Sequence, residues 1–337
     1  MTDFSNATTH NESLHPYRCM FDEDFKYILL PVSYGVVFVV GLVLNVVTLY
    51  VILVQRHSWK SSTIYMFNLT VCDTMYILTL PFLIYYYADE NDWPFGEPLC
   101  KLIRFLFYTN LYGSILFLCC ISLHRFLGIC YPMHSLRWAS TRRARLVSAG
   151  VWAVVVLVQA PVLYFSRTRD RGPADRTCYD TTSEELFDSF MAYSMAVSVL
   201  LFALPFMVVM VCYGLMVRKL LEPPHMMAAA ADANAARSRQ KSVKMIIIVL
   251  AVFMLCFLPF HLTRSLYYSF RYLDEQISCT QLEASSIAYK VTRPLASANS
   301  CMDPVLYFMA GQGFRRNITK KSKYRHTEKI KTMSTPM

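Results

Sequence analysis

The sequence predicts an all-α membrane protein, a seven-transmembrane helix bundle with a short amphipathic cytoplasmic helix after helix 7. Three observations predict it. The 337 residues are 55% hydrophobic and 17% charged, with 22 Tyr, 22 Phe and only 10 Gly, whereas a soluble domain carries about 25% charged residues. The apolar residues fall in seven long blocks, each about as long as the 20 residues that cross a hydrocarbon layer. Prolines stand inside the blocks at Pro81, Pro161, Pro205, Pro259 and Pro304. They would break soluble helices, but in lipid a broken helix frees backbone groups that have no water, so such helices kink instead. The composition excludes a disordered chain and disfavours a cytosolic enzyme, and the lack of alternation excludes the strands of a membrane barrel.

The first block, 27–54, has no charge between Lys26 and Arg56. The second, 62–87, holds a single acid, Asp73, and the third, 102–130, holds Arg104 near its start and Arg125 near its end. The fourth is 146–165, and the fifth, 187–217, has no charge between Asp188 and Arg218. A buried helix of a soluble protein rarely runs so far without a charged face. The sixth, 245–270, carries His261 and Arg264, and the seventh, 284–309, carries Lys290, Arg293 and Asp303. The expected domains are an extracellular segment 1–26, a transmembrane domain 27–310, and a cytoplasmic helix and tail 311–337. In that tail Phe314 and Ile318 lie one turn apart among Arg315, Arg316, Lys320, Lys321 and Lys323, which suits a helix on an anionic lipid leaflet.

Seven crossings put the termini on opposite sides. The segments on the C-terminal side carry 20 Lys and Arg, those on the N-terminal side 7. The positive-inside rule then sets the N-terminus outside the cell and the C-terminus in the cytoplasm, in the plasma membrane. The net charge of +10 is thereby a topology signal, and no nucleic-acid partner is expected. Asn6 and Asn11 head glycosylation sequons in the outer segment, whereas the sequons at Asn68 and Asn317 are chance matches. Four of the 11 cysteines, Cys19, Cys100, Cys178 and Cys279, fall on the oxidising outer side, where three pairings are open to them.

One series of residues runs through the blocks: Asn45, Asp73, His124-Arg125-Phe126, Trp152, Pro205 with Tyr213, Cys256-Phe257-Leu258-Pro259 and Asp303-Pro304-Val305-Leu306-Tyr307. Together they resemble the rhodopsin-like G-protein-coupled receptors across nearly the whole chain. Three positions depart from that pattern. His124 replaces the usual acid before Arg125, Phe257 replaces a Trp, and Asp303 replaces the commoner Asn. The resemblance implies a Cys100–Cys178 bridge, leaving Cys19–Cys279 as the second pair. It implies roles in activation and G-protein coupling for Arg125, Tyr213, Phe257, Pro259 and Tyr307. It also implies an allosteric sodium ion among Asp73, Ser114, Asn299 and Asp303, whose oxygens suit a hard cation; no other cofactor is expected.

The outer halves of the helices hold cations in the wrong solvent. A charge at the bilayer centre costs about 2.5–3.5 kcal/mol on insertion scales. Arg104 and Tyr108 are four apart, His261 and Arg264 three apart with Tyr268 a turn further, and Lys290 and Arg293 three apart, so each set shares a helix face. Three helices can thus converge cations on one water-filled pocket bordered by Phe107, Tyr108 and Tyr268, with Asp180 as the acid at matching depth. The alternative is snorkelling, or pairing with Asp89, Glu90, Asp92 and Glu97 of the outer loops. Arg forks and a Lys point charge suit phosphate oxygens, and aromatics suit a base and sugar. The segments Arg104–Tyr112, Pro259–Arg264 and Tyr289–Pro294 resemble the purinergic nucleotide receptors, in the branch that responds to uridine and adenosine triphosphates, as does Cys178-Tyr179-Asp180-Thr181. By that resemblance Arg104, His261, Arg264, Lys290 and Arg293 hold phosphates or position the nucleotide, and Asp180 touches base or ribose or balances the cations. The expected partners are an extracellular nucleotide, a heterotrimeric G protein of the phospholipase-C-activating class, arrestin and membrane lipids. A nucleotide or organic-anion transporter is the alternative, disfavoured by the lack of internal repeats. A retinal photoreceptor lacks its lysine, since the corresponding position is Ser297. No catalytic cluster points to an enzyme.

Overall fold

The computed structural model describes residues 23–131, 140–170, 176–179, 182, 184–221, 243–273 and 277–310. Seven long helices form a bundle: α1 Lys26–Val54, α2 Ser61–Ala88, α3 Glu97–Cys130, α4 Thr141–Phe165, α5 Phe187–Leu221, α6 Val243–Tyr272 and α7 Cys279–Ala310. The first six are long and apolar enough to cross a membrane. The seventh falls short because Glu283, Lys290, Arg293 and Asp303 interrupt it, although it is long enough to span. Most of the helices extend their apolar blocks by a few residues, because polar ends still complete backbone hydrogen bonds. The expected helix after α7, and the glycosylation sites Asn6 and Asn11, lie outside the described residues.

Helix α3 sits at the centre, packed against α2, α4 and α5, while α1 packs on α2 and α7, and α6 on α7. The outward face of α1 carries Ile28, Val32, Val36, Val39 and Val43, all exposed, the smooth apolar surface that lipid accepts. Asn68, the chance sequon, faces α4, where its Oδ1 accepts from Trp152 Nε1 at 2.9 Å.

The prolines act through the hydrogen bonds they cannot donate. α2 is interrupted at Leu78–Thr79 just before Pro81, and α4 at Ala160–Pro161. In α5 the turn Val199–Ala203 before Pro205 widens to π-helix, and in α6 the turn Phe253–Phe257 before Pro259 does the same. Pro304 sits inside α7 without interrupting it.

One end of the bundle, here the upper end, gathers the starts of α1, α3 and α7. A two-stranded antiparallel hairpin, β1 Thr168–Asp170 and β2 Arg176–Cys178, covers it. The disulfide Cys100–Cys178 ties β2 to the top of α3. Cys279 is disulfide-bonded as well; Cys19, its expected partner, lies outside the described residues. Trp93 is fully buried and donates twice, from its backbone N–H to the Arg176 carbonyl and from its indole to the Gly96 carbonyl, both at 2.7 Å. These bonds hold the α2–α3 connection beneath the hairpin.

Candidate functional site

A cavity of about 210 Å³ opens at the upper end, lined by Lys26, Tyr86, Tyr87, Cys178, Arg271 and Lys290, among others. Of the cations singled out from sequence, Lys290 alone is on its wall. The others form a second layer. Arg104 is buried and donates from Nη2 to the Cys178 carbonyl at 3.1 Å, the same oxygen that accepts from the Tyr86 hydroxyl at 3.2 Å. Arg293 is buried and donates from Nη1 to the Tyr87 hydroxyl at 2.9 Å, with its guanidinium 5.6 Å from the Phe107 ring. Both arginines therefore touch groups that line the cavity.

Arg264 lies deeper toward α3. It is 3% exposed and donates from Nη1 to the Tyr112 hydroxyl at 3.2 Å. Its guanidinium sits over the rings of Tyr108 and Tyr268, at 4.7 and 5.3 Å. Its Nε finds no hydrogen-bond partner, and among the described residues no carboxylate pairs with it. Aromatic faces attract a cation through their quadrupole, but they do not replace the hydration of a full charge.

Three expectations need correction. The cations do not all line the described cavity: Tyr87 stands against Arg293, and Tyr108, Tyr112 and Tyr268 against Arg264. His261 does not face the cavity: its ring stacks on Phe202 at 3.9 Å, and Nδ1 meets the Phe257 carbonyl at 2.9 Å. Lys290 pairs with an acid outside the expected loop set. That acid is Glu23, immediately before α1, which also pairs with Lys26 at 3.1 Å and accepts from the Ser286 hydroxyl at 2.8 Å. Glu97 instead pairs with Lys101 on its own helix, and Asp92 accepts from the backbone N–H of Arg176 in the hairpin at 3.2 Å. Asp180 lies outside the described residues.

The sequence pattern does not single out Glu23, Arg271, Tyr87 or Tyr267. Arg271 carries a detectable signal, two turns beyond Arg264 on the same face. Tyr267 and Tyr289 stack at 5.7 Å and 11° across α6 and α7, a contact between helices that no local pattern announces.

Half-way down the bundle is a second polar cluster. Asp73 is fully buried and accepts from Asn110 Nδ2 at 2.8 Å through Oδ1, while its Oδ2 has no partner. Both carboxylate oxygens of Asp303 and the hydroxyl of Ser114 also lack partners. Ser300 reaches Asn110 Oδ1 at 3.4 Å and Asn299 Oδ1 at 3.3 Å. Among the described residues no three His, Cys, Asp or Glu side chains come together as a metal cluster. The oxygens that remain suit a hard monovalent ion more than a transition metal. Near the lower end, Ser122 and Tyr213 share a 2.6 Å hydrogen bond, and the Nε of Arg125 is buried without a partner. Phe257 is fully buried and Tyr307 nearly so.

Residues 44–307 match the family described as 7 transmembrane receptor (rhodopsin family). The chain belongs to that family. It is 59% identical over 307 residues to purinoceptor 2 of Mus musculus, covering 91% of this chain and 80% of that protein. It is 51% identical over 300 residues to purinoceptor 4 of Homo sapiens, covering 89% and 80%, and 40% identical over 339 residues to purinoceptor 1 of Cavia porcellus, covering 99% and 88%. These relatives place it in the purinoceptor group of the rhodopsin family. It is thus a multi-pass membrane receptor and not an enzyme. Helix α7 counts as the seventh span despite its four charged residues, because the family match runs through it to 307.

Proposed function

We propose that this receptor binds extracellular UTP or ATP at the upper end of the bundle and signals through a phospholipase-C-activating G protein. The observation that carries the reading is Arg264, a buried guanidinium without a carboxylate among the described residues, deeper than Arg104 and Arg293, which touch groups lining a cavity walled by Lys290, Lys26 and Arg271. Burying an uncompensated charge costs several kcal/mol, and a polyphosphate offsets that cost by supplying oxygens to the arginine forks. The similarity to purinoceptors 2 and 4 supports the ligand class. The tyrosines that occupy the space among the arginines, Tyr87, Tyr108, Tyr112 and Tyr268, release their contacts as the phosphates enter. Base and sugar then find Phe107, Tyr108 and Tyr268 as flat surfaces.

In this reading the upper end faces outward and the N-terminus is extracellular. Binding draws α6 and α7 toward α3. The π-turn before Pro259 and the hydrogen bond missing at Pro304 let the lower ends move and bare Arg125 to the G protein. A ligand shifts this equilibrium only by its preference for one state. Arrestin and anionic lipids then act on the cytoplasmic face. Asp73, Ser114, Asn299 and Asp303 hold a sodium ion in the resting state, supplying oxygens that otherwise stay unpartnered; the ion screens the two buried carboxylates from one another.

The test is to change Arg264 or Arg293 to Ala, establish surface expression, and measure nucleotide-evoked calcium release. Potency unchanged at both positions overturns the phosphate role.

A further inference from the structure

The Glu23 carboxylate is held by three groups from two helices. Its Oε2 meets the ammonium groups of both Lys290 and Lys26, the latter at 3.1 Å, and its Oε1 accepts from the Ser286 hydroxyl at 2.8 Å. Two cations and a hydroxyl converging on one anion are what a terminal phosphate would ask of a protein. Glu23 and Lys290 stand near opposite ends of the chain, so their pairing ties the start of α1 to α7 beside the cavity. That cavity, about 210 Å³, is smaller than the roughly 300–1,000 Å³ of ordinary ligand sites. Lys26 and Lys290 both line it, and the carboxylate they share occupies the place where they would meet a ligand.

We propose that Glu23 is an internal stand-in for ligand phosphate, which an entering nucleotide must displace from Lys290 and Lys26. This rests on the nucleotide reading of the cavity. The carboxylate lowers the affinity for every polyanion while leaving uncharged nucleosides indifferent, so Glu23 tunes how strongly the receptor favours charge. It also keeps the lysines in place when the site is empty, and the ligand inherits a site whose ammonium groups are already fixed.

Radiolabelled UTP is bound to membranes carrying the wild type, Glu23→Gln, Lys290→Ala and the double variant, with uridine as the uncharged competitor. Glu23→Gln tightens UTP by about tenfold, the scale of removing one like charge a few ångströms from a phosphate near a protein surface. Uridine stays within about twofold, and in the Lys290→Ala background the gain shrinks to less than about threefold, because the two residues act on one contact. UTP affinity that is unchanged or weaker in Glu23→Gln, or an equal gain for uridine, overturns the proposal. Should Glu23→Gln fail to reach the surface, Ser286→Ala loosens the same carboxylate without removing its charge and tightens UTP by about threefold, the worth of one hydrogen bond; no change there overturns it equally. Arg264→Ala in the same assay separates the two readings. UTP binding that is lost in Arg264→Ala but indifferent to Glu23 removes the stand-in alone. A wild-type receptor without saturable UTP binding removes the nucleotide reading and the stand-in with it.

Discussion

The upper cation layer and the mid-bundle acid pair bury charge of opposite sign, and they handle it differently. Above, Arg104, Arg264 and Arg293 lean on tyrosine hydroxyls, ring faces and a backbone carbonyl, and a cavity lies beside them. Below, Asp73 and Asp303 leave three carboxylate oxygens without partners, and both side chains are sealed at 0% and 3% exposure. The upper layer has a way in, since Tyr87 and the Cys178 carbonyl, which accept from Arg293 and Arg104, also line the cavity. In the proposed function the difference separates a site for a bulky polyanion from one for a small cation, and each makes its own predictions.

The largest effect belongs to the upper layer. Arg264→Ala lowers nucleotide potency in calcium release by roughly 100-fold or more, since truncating one partner of a buried charge pair costs about 2–5 kcal/mol; Arg293→Ala acts in the same direction. A loss confined to Arg293 would move the phosphates to the α7 side of the cavity and sharpen the geometry. Next comes the frame that holds the hairpin over the site. Cys178→Ser removes a bridge across 78 residues and lowers thermal stability by about 2–5 kcal/mol, read as reduced surface expression and a lower melting temperature in detergent.

For the lower pair, Asp303→Asn removes the sodium dependence of agonist affinity. The wild type binds nucleotide a few-fold more weakly in sodium than in an equal concentration of a bulky organic cation, in keeping with coupling energies of about 1 kcal/mol; the variant binds alike in both. Sodium dependence that survives Asp303→Asn would leave these oxygens without the role assigned to them. An effect of similar size is that of Tyr87→Phe. It deletes the hydroxyl that accepts from Arg293 and changes nucleotide affinity by about two- to tenfold, the range of an ordinary net hydrogen bond.

The Glu23 contact adds a prediction in pH, and the expected effect is the smallest of all. Burial alone would raise this carboxyl, but the charge of Lys290, its hydrogen bond, and the contributions of Ser286 and Lys26 outweigh burial and hold it below the usual carboxylate range. Its folded pKa is thus lower than its unfolded one. The contact stabilises the receptor fully above the unfolded value and is lost only as pH falls through the folded value. Thermal stability between about pH 6 and 8 therefore changes no more in the wild type than in Glu23→Gln, because that window lies above the unfolded carboxylate pKa of about 4.3. A wild-type loss near pH 6 that Glu23→Gln lacks would contradict this.

Much of the fold was legible because lipid imposes long apolar blocks, and six helices follow them closely. Helix α7 was legible for another reason: its charged residues, costly in a membrane, sat at helical spacing and pointed to a site. The arginines of α3, α6 and α7 could be singled out as misplaced charges. Their partners could not, because Tyr87, Tyr112 and the Cys178 carbonyl come from elements that only the packed bundle brings together. His261 misled because spacing gives a face and not a neighbour: it shares a regular helix with Arg264, yet its ring packs on Phe202 of α5. Glu23 was hidden in the segment before the first apolar block, and its meaning depends on Lys290 in the seventh.

The most direct test of the central claim is a charge series on the unmodified receptor: UTP, UMP and uridine compared for calcium release in transfected cells. If the upper layer is a polyanion site, the triphosphate exceeds the monophosphate by about 100-fold or more, as expected for charge pairs each worth more than about 1 kcal/mol, and uridine is weaker still. Equal potency of the three would mean that the buried arginines serve the bundle and not a ligand.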